Sequence, residues 1–349
     1  MSTATSARQQ APVGQVRAGI ARRAVVTTVV LSLLLAAVVT TAVATGAYPL
    51  SPDRLILTLL GQGEAREAFV LFRLRLPSIV LGLLVGAAFG IAGALFQTLL
   101  RNPLASPDII GISGGASVAS AFGILILGVS GAILSLLSFA GAIVVAAAIA
   151  LLSARGGISG YRFVLIGVGF AFVAQAAIGY LTTRGDVREA SQALVWIVGG
   201  LGGAEWEDNL VVALALAALF TLTAVVAPRL RMLQLGDDTA ASLGIRVERT
   251  RLTILVVAVA LTAVATAYAG PVAFVAFVSA PIARRIVGGG RLSLIPSALV
   301  GAIVVLVADL VGGNLLPGAA VPAGIVTGII GAPYLLWLLA TADRGRQTP

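Results

Sequence analysis

The sequence contains no cysteine, no histidine and no lysine, and only 11% of its 349 residues are charged. Without cysteine the chain can form neither a disulfide nor a thiolate metal site. Without lysine it cannot carry a nucleotide-binding P-loop, because the lysine of that motif reaches the nucleotide phosphates. Without histidine or cysteine it lacks the usual nitrogen and sulfur ligands for a transition-metal site. If ATP drives this protein, a separate subunit binds the ATP.

What the chain has in place of charge is long apolar runs, with 59% hydrophobic residues and a mean hydropathy of +1.06. A soluble domain carries about 25% charged residues, so this chain has too little polar surface to face water. We therefore predict an all-α integral membrane protein, with ten runs long enough for membrane helices. The predicted spans are 24–46, 78–100, 109–127, 132–153, 163–182, 210–227, 252–269, 272–286, 294–311 and 321–340.

These spans divide the chain into a ten-helix transmembrane domain, 24–341, between a disordered cytoplasmic tail, 1–23, and a second cytoplasmic tail, 342–349. The segments 47–75 and 184–208 are amphipathic or charged and are predicted to lie outside the membrane. No Ser-His, Cys-His or metal-ligand set is present for an intramembrane enzyme.

All 23 basic residues are arginine, and the formal net charge is +9. They are scattered between apolar spans and do not form one basic face, so the sequence gives no support for nucleic-acid binding. With both termini in the cytoplasm, 17 arginines fall on the inner side and 6 on the outer side. The positive-inside rule supports this orientation. The six outer arginines are Arg54, Arg66, Arg73, Arg75, Arg184 and Arg188.

One polar segment, 228–251, interrupts the apolar runs and contains eight charged residues. Its centre reads as a short helix, in which Gly236 breaks the preceding run and Asp237 can cap the N-terminus. Asp238 suits the positive end of the helix dipole, and Gly244 can end the helix in a left-handed conformation. A short helix of this kind at the membrane surface is either a contact site for a partner protein or part of an ordinary solvated loop.

Several spans carry glycines at a spacing of four residues, which places them on one helix face. Glycine faces let helices approach closely in lipid, either within one subunit or between subunits. The glycines of this pattern are Gly82, Gly86 and Gly90, with Gly93 near the same face, then Gly111 and Gly115, and finally Gly324 and Gly328.

Seven sequence blocks occur in a fixed order along the chain. They are R-L-R-L-P at 73–77, G-A-A-F-G-I-A-G-A-L-F-Q at 86–97, R-N-P-L-A-S-P-D-I-I-G-I-S-G-G-A at 101–116, W-I-V-G-G-L at 196–201, L-G-D-D-T-A-A-S-L-G at 235–244, G-P-V-A-F-V at 270–275 and P-A-G-I-V-T-G-I-I-G-A-P at 322–333. In this order they resemble the FecCD family of ABC-transporter permeases, over about 22–340. Members of that family import iron-siderophore complexes, haem or cobalamin.

The resemblance implies the type II ABC importer architecture in a bacterial inner membrane. It implies a second permease subunit, identical or related, around a central path through the lipid bilayer. Two ABC ATPase subunits on the cytoplasmic side and an extracytoplasmic substrate-binding protein complete the expected assembly, and no cofactor is implied for this chain. The segment 228–251 then corresponds to the family's ATPase-coupling region. The expected coupling residues are Leu235, Gly236, Asp237, Asp238, Ala241, Leu243 and Gly244.

The resemblance also suggests docking residues for the binding protein. In the family's R-L-P-R block an outer arginine pairs with a carboxylate on that protein. Arg75 matches the first arginine of the block, Ser78 stands where the second is expected, and Arg73 is an additional candidate. Interfacial snorkelling is the alternative explanation for both arginines.

The turn Asn102, Pro103 and Leu104 matches the family's N-P-L turn at the cytoplasmic mouth of the path. Proline ends a helix, and the asparagine side chain can satisfy backbone groups that the break frees. A plain helix-breaking turn is therefore the alternative to a gate. Gln97 and Ser159 complete the expected path residues.

The expected function is a permease subunit for an iron(III)-siderophore complex. The family often has Pro-His where this chain has Pro281-Ile282, which resembles siderophore permeases more than cobalamin permeases. A cobalamin or haem permease of the same family is the alternative. An ion-coupled secondary transporter would need several carboxylates near the membrane centre. Only Asp309 lies well inside a predicted span, where it is either functional or hydrogen-bonded to neighbours near a helix end.

Overall fold

A computed structural model describes residues 13–46, 48, 50–153, 160–288, 292–315 and 321–342. Every regular element among these residues is helical. The helices are α1 (Val13–Ala44), α2 (Pro52–Leu59), α3 (Ala65–Phe69), α4 (Leu76–Leu99), α5 (Ile112–Leu125), α6 (Gly131–Ser153), α7 (Gly160–Arg184), α8 (Val187–Val198), α9 (Trp206–Leu233), α10 (Asp237–Ser242), α11 (Val247–Ala269), α12 (Val275–Val287), α13 (Leu294–Leu315) and α14 (Ala323–Ala342).

Each of the ten predicted spans has a helix at its position, but not all of these helices are long enough to span a bilayer alone. Seven described stretches, in α1, α3–α4, α6, α7, α9, α11 and α13, meet the length and hydropathy needed to cross a membrane. Shorter apolar stretches lie in α5, over Ile112–Leu125, and within α14, over Ala323–Leu338, and α12 has only 13 residues.

The first tail differs from the prediction. Helix α1 begins at Val13, so residues 13–23 are helical and not part of a disordered tail. Arg17, Arg22 and Arg23 therefore lie on the first turns of a long helix, and the apolar run follows them without a break. The tail residues 1–12 and 343–349 lie outside the described part of the chain.

Helix α4 forms the centre of the bundle and packs against α13, α11, α12 and α9. Its glycines allow the closest of these approaches. A Cβ atom built on Gly90 would lie 2.1 Å from the Ser297 carbonyl oxygen, and one on Gly86 would lie 2.6 Å from Ala302 Cα. Both contacts are with α13 of the same chain. The glycine face of α4 therefore serves packing inside the subunit.

The other glycine pairs divide between packing and open space. A Cβ atom on Gly115 would approach the Gly141 carbonyl oxygen to 2.6 Å, so α5 and α6 pack closely. A Cβ atom on Gly324 would approach the Val198 carbonyl oxygen to 1.8 Å, whereas one on Gly328 would meet nothing within 4 Å. Gly328 is therefore not needed for packing between the described helices.

Helices α5 and α12 are short because turn and loop backbone replaces their first turns. The segments 101–111 and 270–274 precede them, and residues 105–107 and 110 are buried in protein. Irregular backbone is tolerated at membrane depth only where protein or a water-filled cavity surrounds it. Phe274, with φ +64°, marks the point where the second segment turns into α12.

The two predicted external segments are more ordered than the sequence indicates. The first contains α2, α3 and a π-helical stretch, Val70–Arg75, that continues into α4 without a break. The second contains α8, which packs against α5. The helix α8 was not predicted, because its charged first turn resembles a solvated loop.

Candidate functional site

The polar segment 228–251 folds as the end of α9, a turn, the short helix α10 and the first residues of α11. Gly244 has φ +83°, as predicted for the residue that ends α10. Its N–H donates to the Ala241 carbonyl at 2.9 Å, and the Ile245 N–H donates to the Ala240 carbonyl at 3.0 Å. This pair of bonds is a Schellman motif, which satisfies two of the last carbonyl groups of the helix.

The predicted cap of α10 is wrong in one respect. Gly236, with φ +107°, occupies the N-cap position, and Asp237 is the first helical residue and makes no capping bond. The Asp237 carboxylate instead accepts hydrogen bonds from Arg251 Nη2 at 2.8 and 2.7 Å. Arg101 Nη2 lies 3.4 Å from the same carboxylate. Asp237 therefore joins α10 to α11 and to the end of α4.

The outer surface of α10 is apolar at both ends. Leu235 and Leu243 are 63% and 58% exposed, and Asp238 and Ala241 between them are also exposed. Ala240 is fully buried beneath them and anchors the helix. Exposed leucines on a short, anchored helix, with charged residues around them, form the kind of apolar surface that marks a protein–protein contact.

The predicted gate turn follows α4 directly. Asn102 Oδ1 accepts a hydrogen bond from the Leu104 N–H at 2.9 Å, which fixes the turn around Pro103. The preceding residue, Arg101, ends α4 in a left-handed conformation with φ +49°. That conformation is strained for a residue with a Cβ atom and costs roughly 1–2 kcal/mol. The next N–H, of Asn102, donates to the Gln97 carbonyl at 3.1 Å, so backbone bonding closes the end of α4 around this residue.

Arg101 connects the predicted gate turn, 102–104, to the polar segment 228–251, and this contact was not among the predictions. Its Nη2 atom donates to the Leu233 carbonyl at 2.8 Å and approaches Asp237 Oδ1 at 3.4 Å. One side chain therefore touches the last residue of α9 and the first residue of α10. The sequence places Arg101 directly before the Asn102 turn, which is the one indication that it has a role there. Its partners could not be predicted, because they lie more than 130 residues away along the chain.

Gln97 lies one turn earlier in α4 and is buried, with 3% of its surface exposed. Its Nε2 atom donates to the Phe277 carbonyl at 3.0 Å, and Arg284 Nη2 donates to its Oε1 atom. Both partners belong to α12, so Gln97 ties α4 to α12. A cavity of about 340 Å³ opens beside it and is lined by Asn102 and Pro103. Ser159, the remaining predicted path residue, lies outside the described residues.

We call the end of the bundle at which α4 meets the polar segment 228–251 the arginine-rich face. The predicted docking residues lie at the opposite end of α4. Arg75 is half-buried, and its Nη1 atom donates to the Val43 carbonyl at 2.7 Å. Its Nη2 atom donates to the Tyr48 carbonyl. These bonds satisfy a carbonyl at the end of α1 and fix the chain that follows. Arg73 is exposed and appears in no ion pair of the described part.

Two carboxylates lie among the membrane helices. Asp309 is partly buried in α13, and no described residue donates a hydrogen bond to it. Asp108, which was not among the predicted site residues, lies in the turn before α5, and its Oδ1 atom accepts a hydrogen bond from Ser113 Oγ at 2.7 Å. Asp108 lines a cavity of about 570 Å³ together with Ser117 and Gly328.

The sequence model of the FecCD transport family matches residues 33–341. The chain belongs to the FecCD transport family. A similar protein is the ferric enterobactin transport system permease protein FepG of Escherichia coli strain K12, 36% identical over 325 residues that cover 93% of this chain and 98% of that protein. The Fe(3+)-citrate import system permease protein YfmE of Bacillus subtilis strain 168 is 36% identical over 302 residues, covering 85% and 90% of the two chains.

Among solved structures, this FecCD chain is similar to an inward-facing conformation of a metal-chelate type ABC transporter. The TM-score is 0.78 at 26% identity, and the match covers 91% of this chain and 99% of that chain. The resemblance inferred from the seven sequence blocks is confirmed, as are the all-helical fold and the permease architecture. The coupling, docking and path roles of individual residues stay predictions.

Proposed function

We propose that this FecCD protein is the membrane-spanning permease subunit of an ABC importer for an iron(III)-siderophore complex. The observation that carries the proposal is the family match over 33–341 together with relatives named for ferric enterobactin and ferric citrate. The chain has no histidine or cysteine, and no cluster of three acidic ligands occurs among the described residues. The iron is therefore expected to cross as an intact chelate.

The energy for transport comes from partner ATPase subunits, since this chain lacks the lysine of a P-loop. Helix α10 is the surface we assign to that partner, because Leu235 and Leu243 are exposed on either side of it. Truncation of either leucine is expected to weaken assembly with the ATPase more than it weakens folding. Ala240 holds the helix to the bundle and is not part of the proposed contact.

Movement of α10 reaches the gate turn through Asp237 and Arg101 in our mechanism. Asp237 is bound by Arg251 of α11 and approached by Arg101, whose backbone begins the Asn102 turn. A shift of α10 therefore pulls on the end of α4. Gln97 transmits the shift to α12 through the Phe277 carbonyl. The turn and its neighbouring cavity would then open toward the arginine-rich face.

The remaining partners follow from the orientation that the positive-inside rule favours. The protein lies in a bacterial inner membrane with the arginine-rich face toward the cytoplasm, and both termini lie on that side. The opposite rim, with Arg73 exposed, receives an extracytoplasmic substrate-binding protein. A second permease subunit, identical or related, completes the path.

The experiment that tests this function reconstitutes the protein with its co-purifying ATPase and binding protein in sealed vesicles. Uptake is measured for ferric catecholate, ferric citrate, ferric hydroxamate, haem and cobalamin. We expect ATP-dependent accumulation of one ferric siderophore and none when the ATPase is left out. Preference for haem or cobalamin would correct the substrate, and accumulation against a gradient by the permease alone would overturn the mechanism.

A further inference from the structure

A groove of about 870 Å³ runs between α1 and α9 at the arginine-rich end of the bundle. We call it the α1–α9 groove. Ala24 and Val29 of α1 line one side and Ala224 of α9 lines another, and Ile295 at the start of α13 also contributes to the lining. The groove exists because α1 packs mainly on α13 while α9 packs on α11 and α4, so small side chains leave the space between them unfilled.

The end of the groove nearest the arginine-rich face is polar. Spacings of three and four residues place Ala224, Pro228 and Arg231 on one side of α9, and Gln234 follows just beyond the helix. Arg231 is exposed and makes no ion pair with any carboxylate that the structure describes. The carboxylate of Asp237, six residues further along the chain, is engaged by Arg251 and Arg101. Arg231 therefore presents a free positive charge where the apolar groove ends.

We propose that an anionic phospholipid occupies the α1–α9 groove, with an acyl chain along its apolar walls and its phosphate at Arg231. The walls belong to α1 and α9, which are both long and apolar enough to cross a membrane, where an apolar space is filled by hydrocarbon and not by water. The positive-inside rule places the groove in the cytoplasmic leaflet. Basic pockets between membrane helices on that side are suited to anionic headgroups. Charge complementarity thus selects an anionic lipid over a neutral one.

The test compares phosphatidylglycerol with phosphatidylcholine carrying identical acyl chains. Each lipid is added to the purified full-length protein in an uncharged detergent, and bound lipid is counted by native mass spectrometry. The variant Arg231→Gln removes the proposed phosphate contact. Ala224→Trp fills the groove without altering charge. Arg229→Gln is the matched control, because Arg229 is on the same helix but lines a different cavity, with Arg246 and Arg249.

We expect tighter binding of phosphatidylglycerol to the unaltered protein, and a loss of about fivefold in its affinity in Arg231→Gln. Ala224→Trp should weaken the binding of both lipids. In the Ala224→Trp background the effect of Arg231→Gln should disappear, since the two residues share one site, while Arg229→Gln should have the same effect in both backgrounds. Equal binding of the two lipids, or an Arg231→Gln effect unchanged by Ala224→Trp, would overturn the proposal. None of these measurements depends on transport activity.

Discussion

Arg73 and Arg75 lie two residues apart on the same π-helical stretch, but their surroundings differ. The Arg75 guanidinium bonds to the carbonyl groups of Val43 and Tyr48, whereas Arg73 is exposed without an ion pair in the described part of the chain. Both were predicted as docking residues from the family's R-L-P-R block. The contacts favour a structural role for Arg75 and leave Arg73 as the better docking candidate.

A pair of single variants separates these roles. Arg75→Gln should lower the free energy of unfolding by about 1–2 kcal/mol, because half-buried carbonyl oxygens lose a charged donor. Arg73→Gln should leave stability unchanged and weaken the affinity for the binding protein. Thermal unfolding and a binding titration on each variant provide the measurements. If Arg75→Gln weakened docking without any loss of stability, Arg75 would be a docking residue after all.

Helix α4 depends on glycine along the face that meets α13. The atom that faces Gly90 is the backbone carbonyl oxygen of Ser297 in α13. Backbone cannot move aside as a flexible side chain can. In lipid, where the hydrophobic effect does not drive helices together, such close packing is a main source of stability. Helix α4 can therefore occupy the centre of the bundle because it has glycine at four positions, 82, 86, 90 and 93.

The variant Gly90→Ala should destabilise the fold by about 1–3 kcal/mol or more, because the added methyl group forces α4 and α13 apart. Gly328→Ala is the matched control, since it adds the same methyl group to a helical glycine with open space around it. The yield of monodisperse protein and its unfolding temperature should fall for the first variant only. Equal behaviour of the two variants would show that the approach of α4 to α13 is not limiting.

Across the whole molecule, a series of side-chain contacts links the polar segment 228–251 to the predicted gate turn, 102–104. It passes from Asp237 through Arg101 to the end of α4, and from Gln97 to α12. The individual ion pairs are partly exposed, and surface pairs of this kind contribute little to stability. Their proposed importance lies in coupling, because they join the elements that move together in the proposed mechanism.

Replacing Arg101 by asparagine should uncouple ATP hydrolysis from transport. Asparagine tolerates the left-handed backbone at this position, so the turn should survive while the contacts with Leu233 and Asp237 are lost. We expect uptake per ATP hydrolysed to fall by about fivefold or more in the reconstituted complex. Arg22→Gln serves as the control, because it removes an exposed arginine of α1 that, within the described part of the chain, bonds to neither the polar segment 228–251 nor the predicted gate turn. An unchanged ratio in Arg101→Asn would remove Arg101 from the mechanism.

The sequence alone determined the class of the protein, the approximate positions of the ten helices, the family and the short helix at 237–242. These follow from local properties, namely apolar run length, glycine spacing and the order of sequence blocks, which a chain shows before it folds. Tertiary structure decided the rest. It showed that Asp237 is an ion-pair partner and not a cap, that Arg75 is engaged inside the subunit and that Arg101 spans two segments. These roles depend on residues more than 10 positions apart, and in the case of Arg101 more than 130 apart, which only folding brings within hydrogen-bond distance.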